Sequence, residues 1–158
     1  MNLEEIAAKL KKLEDIEEIK KLQARYAYLV DTSQPDKIPD LFADEFTMEL
    51  EGLPPLKTKD EVLKIFRATA KRYSMTRHMT MTPYIEVDGD RAKGTWYLFG
   101  PFTRQTREGP QAVWEAGRYD NEYVREHGEW KFSRWSFKFT MHTPYEDGWV
   151  KTPMKGAF

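Results

Sequence analysis

The hydrophobic period of this chain changes once, near residue 74, and that change limits what it can fold into. Before it, apolar residues recur mainly at intervals of three and four, the period of a helix face; after it, they mostly alternate, the period of a strand. Leu3, Ile6, Leu10, Leu13, Ile16, Ile19, Leu22, Tyr26 and Leu29 make the first stripe. It predicts a polar helical arm over residues 1–14, a break near Leu13 to Asp15, and a main helix from about Asp15 to Val30. Pro35 marks its end. Asp36 to Ala43 reads as a short second helix with Ile38, Leu41 and Phe42 on one face, and Phe46 to Leu50 as a strand. Thr58 with Glu61 has the capping-box spacing, and the helix it opens turns Val62, Ile65, Phe66 and Thr69 inward before fading near Tyr73.

In the second half, Arg77 to Val87 and Arg91 to Phe99 form a hairpin around Asp88-Gly89-Asp90. A loop over Gly100 to Gly109 follows. Ala112 to Glu126 and Trp130 to Met141 then form a longer hairpin through His127-Gly128. Pro83 signals an edge, a bulge or a bend. Helices followed by antiparallel strands predict an α+β fold, one domain over residues 1–158, with helices packed on one side of a strongly curved sheet. Such a sheet, closed by helices, leaves a cone-shaped cavity.

Composition narrows the function. With no cysteine, disulfides, thiolate metal sites and a cysteine nucleophile are excluded. The 25 Lys and Arg against 26 Asp and Glu leave a net charge of -1. That balance makes no strong field for nucleic acid or an anionic membrane and favours a small uncharged or weakly acidic ligand. Five Trp, eight Tyr and nine Phe can build a core, a pocket wall or a subunit contact. The first residues show no apolar core of a signal peptide, so a cytoplasmic address is the default. No phosphate-binding glycine loop or metal-ligand motif is present, and the glycines sit singly at turn-like points.

Three histidines are available. His127 belongs to a turn. His142 lies past the apolar end of the last strand, where it can cover a cavity mouth. His78 opens a strand in the parity of Thr80, Thr82 and Tyr84, and is either a satisfied buried histidine or a base. Asp31 ends the main helix, where the helix dipole disfavours a negative charge, so a buried Asp31 needs a cationic or N–H partner. Tyr26 precedes it by five residues, off its stripe unless the chain turns inward. No serine has nucleophile-elbow glycines, and His78 with His142 lacks the further ligands of a metal site. Proton transfer in an aromatic pocket remains.

The segments IEEIKKLQARYAYLVD (Ile16 to Asp31), LFADEF (Leu41 to Phe46) and AGRYDNEYVREHGEWKFSRW (Ala116 to Trp135) resemble SnoaL-like proteins of the nuclear transport factor 2-like superfamily. Within it, RYAYLVD and RHMTMTP resemble the scytalone dehydratase and bile acid 7α-dehydratase group. The resemblance implies an Asp31–His78 dyad, with Tyr26 touching the substrate oxygen. A second pocket tyrosine expected of the group falls near Glu49 here, and its final-strand arginine near Lys138 or Phe139. It also implies a cofactor-independent dehydratase acting on a small hydrophobic cyclic hydroxy-carbonyl compound, needing neither metal nor organic cofactor, in a homodimer or trimer. Tyr28 or Tyr97 are further hydroxyl donors. Trp96, Tyr97, Trp114 and Phe137 are wall candidates, and Glu49, Lys138 and His142 polar contacts. A double-bond isomerase and a non-catalytic ligand-binding protein are the competing readings.

Overall fold

The computed structural model describes residues 2–154. Helix α1 (Leu3–Asp31) is followed by two 3-10 turns, strand β1 (Phe42–Leu50), helix α2 (Lys59–Arg72), strands β2 (Tyr73–Met75), β3 (Met79–Asp88), β4 (Arg91–Thr106), β5 (Gly109–Glu126) and β6 (Glu129–Pro144), and a single turn α3 (Gly148–Lys151). One sheet runs β1-β6-β5-β4-β2, with β3 also on β4. Only β1 against β6 is parallel. The helices pack on one face of this mixed, mostly antiparallel, curved sheet, the expected α+β architecture.

The expected break in the first helix is absent. Asn2 and Glu5 cap its start reciprocally, and the helix runs unbroken to Asp31. Asp15 is a helical anchor instead: its carboxylate takes the Arg125 guanidinium at 2.6 Å and Lys11 at 2.8 Å, while Arg125 lies over the Trp130 ring. Desolvation works against that carboxylate, but the bonds from Lys11, Arg125 and Trp130 outweigh it and hold its pKa below the ordinary value. Ile19, Leu22, Tyr26 and Leu29 then face the sheet, whereas Leu3, Ile6, Leu10 and Leu13 stay exposed.

The expected second helix is two 3-10 turns, Pro35–Lys37 and Pro39–Leu41. Proline at 39 has no N–H for an α-helical bond to Pro35, so the chain tightens and enters β1 at Phe42, four residues early. The Thr58–Glu61 capping box forms as the spacing predicts. Pro83 sits in β3, an edge strand whose register on β4 shifts between Met81 and Tyr84, with Thr82 at φ 53°. It is both edge and bulge.

The expected loop over Gly100 to Gly109 is mostly strand. β4 continues to Thr106, paired with β5 through Pro101. Pro101 is tolerated because β2 pairs only as far as Thr103 and β3 only to Phe99, so its missing N–H interrupts neither ladder. The segment between those two strands, Thr76 to His78, crosses over Gly100. A Cβ there would lie 1.8 Å from the Arg77 carbonyl oxygen. Gly100 and Gly117 are therefore close-approach glycines within strands, not turn residues; a Cβ on Gly117 would meet the Phe137 ring at 2.3 Å. Gly100→Ala is expected to cost ~1–3 kcal/mol in chemical denaturation, as for an overpacked core site. It is also expected to lower activity, because the displaced backbone carries His78.

Candidate active site

The site begins at an electrostatic mismatch. Asp31 is the last residue of α1, a helix with no basic residue in its final turn, so its carboxylate faces the negative end of the helix dipole. Three donors from the Thr76–His78 segment compensate. Oδ1 accepts from the Thr76 hydroxyl at 2.9 Å and pairs with His78 Nδ1 at 2.6 Å. Oδ2 accepts from the His78 backbone N–H at 2.9 Å. Desolvation pushes the Asp31 carboxyl up, but the His78 bond and charge, the backbone N–H and Thr76 prevail and hold it below its ordinary value. An ionised Asp31 selects the imidazole tautomer with the proton on Nδ1, leaving Nε2 unprotonated for the cavity that His78 lines. His78 is not in β3 at all. It precedes the strand, and the bulge between Met81 and Tyr84 breaks the expected parity, so Tyr84 is exposed and bonds Glu86 instead.

The cavity holds about 300 Å³ between the sheet, the end of α1 and α2. Its apolar wall includes Phe66, Phe102, Trp135, Phe137 and Phe139. Tyr26 lies in the same wall, its ring edge-on to His78 at 6.1 Å. Its hydroxyl is in hydrogen-bonding contact with that of Tyr119, and burial raises both phenols above their ordinary range, so both keep their protons. The indole N–H of Trp135 has no partner among the described residues.

Of the expected wall, only Phe137 lines the cavity. Strand alternation explains the corrections. In β4 the inward set is Ala92, Gly94, Trp96, Leu98 and Phe102, so Tyr97 is 52% exposed on the other face. Trp96 faces inward but sits in solid core, donating to the Tyr123 hydroxyl at 3.0 Å. Trp114 is on the outer face of β5, stacked on Phe99. Tyr28 is 60% exposed, because α1 turns that position to solvent. Glu49 points away from its cavity-lining neighbours Met48 and Leu50 and is held by Arg134 at 2.6 Å. Lys138 is exposed between Phe137 and Phe139.

His142 is fully buried rather than at an open mouth, with Nε2 3.1 Å from the Tyr73 hydroxyl and 3.8 Å from Glu115 Oε2. Glu115 lies opposite His142 in the β5–β6 register and lines the cavity with Arg72 and Tyr73. A glutamate in the inward parity of Val113, Gly117 and Tyr119 is the signal that marks it in the sequence, since unpaired charge is rarely placed at core positions. Desolvation pushes its carboxyl up to about 8, opposed in part by Arg72. Among the described residues no group of three or more His, Asp or Glu side chains could hold a metal ion. No helix of the described residues is long and apolar enough to cross a membrane.

An α+β cone with a half-buried Asp–His pair whose histidine lines an aromatic cavity defines a class of small ligand-cavity proteins. This chain belongs to the SnoaL-like domain family, whose model matches residues 11–136. None of the functionally curated proteins matches the chain. Among solved structures, it is similar to a Novosphingobium aromaticivorans protein assigned as an aromatic ring hydroxylase: 27% identity, TM-score 0.75, covering 85% of this chain and 96% of that one. The hexachlorocyclohexane dehydrochlorinase LinA type 2 is 25% identical, with TM-score 0.79 over 86% of this chain and 92% of the other. A Novosphingobium aromaticivorans protein assigned as a scytalone dehydratase is 20% identical, with TM-score 0.74 over 85% and 89%, and carries the fold alone.

Proposed function

We propose that this protein is a cofactor-independent lyase that removes a proton next to a carbonyl group and expels a β-hydroxyl as water. The observation that carries the reading is the 2.6 Å contact of Asp31 with His78 Nδ1 at the wall of an apolar cavity, which leaves the second ring nitrogen for a ligand. His78 takes the proton at Nε2; Asp31 fixes the tautomer and stabilises the imidazolium. Tyr26, backed by Tyr119, donates to the oxygen that gains charge, a contact worth ~3 kcal/mol when well aimed. A cavity of about 300 Å³ with eight aromatic side chains in its wall suits a substrate of one or two rings. The dehydrochlorinase among the similar structures is named for an elimination, the same class of bond change.

A β-hydroxytetralone, with hydroxyl and ketone on one ring, is the test compound. Incubated with the protein it is expected to lose the mass of one water, read by mass spectrometry. A product of unchanged mass would make the protein an isomerase, and tight binding without product would make it a binding protein. Either result ends the dehydratase reading.

A further inference from the structure

Resting on that reading, we infer that Glu115 is a second catalytic group, the acid that protonates the departing oxygen from the wall of the cavity beyond Phe102. The placement comes from a chain of ring contacts. His78 meets Phe102 at 5.1 Å, Phe102 meets Tyr73 at 5.9 Å, and Tyr73 meets His142, which sits over Glu115. His78 and Glu115 thus line one cavity as separate groups, with apolar surface between them.

Glu115 is 7% exposed, yet its carboxyl makes no hydrogen bond among the described residues; its one close partner is His142 Nε2, at 3.8 Å. A buried carboxyl with unused hydrogen-bonding capacity on a cavity wall is placed for a ligand. The groups facing it come from four elements: Arg72 of α2, Tyr73 of β2, Tyr119 of β5 and His142 of β6, with Tyr26 of α1 across the cavity. Arg72 favours its ionised form, but burial outweighs it and favours the acid, pushing the carboxyl up to about 8.

The chemistry needs such a group. When His78 Nε2 takes the α-proton, the C–H electron pair becomes the new C=C bond. The C–O bond breaks and its pair stays on oxygen. That oxygen takes the Glu115 proton and leaves as water, giving an imidazolium and a carboxylate. Solvent then returns the proton from His78 to Glu115. Chloride leaves without a proton, so an acid here selects oxygen leaving groups over halide.

Three measurements on the full chain test this. The infrared spectrum of the wild-type protein is expected to show a protonated-carboxyl band near neutral pH that is lost in Glu115→Gln. Glu115→Gln, neutral and nearly isosteric, is expected to fold. It should lower kcat for the β-hydroxytetralone by roughly a hundredfold, a general-acid effect. The loss for the β-chlorotetralone should be smaller by about tenfold or more. Absence of the band, or equal losses for the two probes, overturns the assignment. If His78→Ala slows neither probe, the elimination reading itself fails, whatever the infrared band shows.

Discussion

Replacing His78 by alanine is expected to lower kcat for the β-hydroxytetralone by ~10²–10⁴-fold, the usual contribution of a positioned general base. The fold and KM should change little. Of the three bonds that Asp31 makes to the 76–78 segment, only the one to Nδ1 uses the imidazole. The Thr76 hydroxyl and the backbone N–H of residue 78 still hold the segment in the variant. The truncation also opens space beside Phe102 and Tyr26, whose rings pack edge-on to the imidazole. Free imidazole added to the variant is therefore expected to restore part of the rate, an effect a merely structural histidine would not produce. Wild-type turnover by His78→Ala, measured from the rate of product formation, would remove the base assignment.

Asp31→Asn carries the second large effect. A carboxylate offers two acceptor oxygens, and here Oδ1 and Oδ2 together face three donors. An amide has one oxygen and one NH₂, so in either orientation a donor meets a donor. With the amide nitrogen toward the ring, Nδ1 must become the acceptor and the proton moves to Nε2, the wrong tautomer for a base. The expected loss in kcat is again ~10²-fold or more, by the logic of a misassigned tautomer.

Stability should respond with a definite sign. The Asp31 carboxyl titrates below its ordinary value in the folded chain. Its contribution is therefore complete above the unfolded value of about 3.9 and is lost as pH falls through the folded one. Asp31→Asn should melt below wild type at neutral pH, and the gap should close in acid. A gap that stays constant with pH would mean that the ionised pair contributes nothing.

Much of this was legible from residue order. The capping box at Thr58 and Glu61 and the hairpins around Gly89 and Gly128 depend on interactions within a few residues, so local chemistry specifies them. The need of Asp31 for an N–H partner followed from its place at a helix terminus. Errors came where a distant neighbour overrode local preference. Gly100 and Pro101 look like a loop, yet they continue β4 because a gap between β2 and β3 relieves the proline of its missing bond. Tyr97 and Trp114 look like pocket residues by composition, and strand parity turns both outward.

By itself the sequence determined the period of each segment and the unfavourable charge at the end of α1, because these follow from backbone geometry and nearest neighbours. The pairing of Asp31 with His78, 47 positions away, was implied only by family resemblance, and the tertiary structure alone gave its geometry and brought Glu115 to His142 at the wall of the same cavity. Pairings of that kind depend on how far a curved sheet carries one strand toward a helix end. No residue encodes that distance; the packing of the whole core sets it.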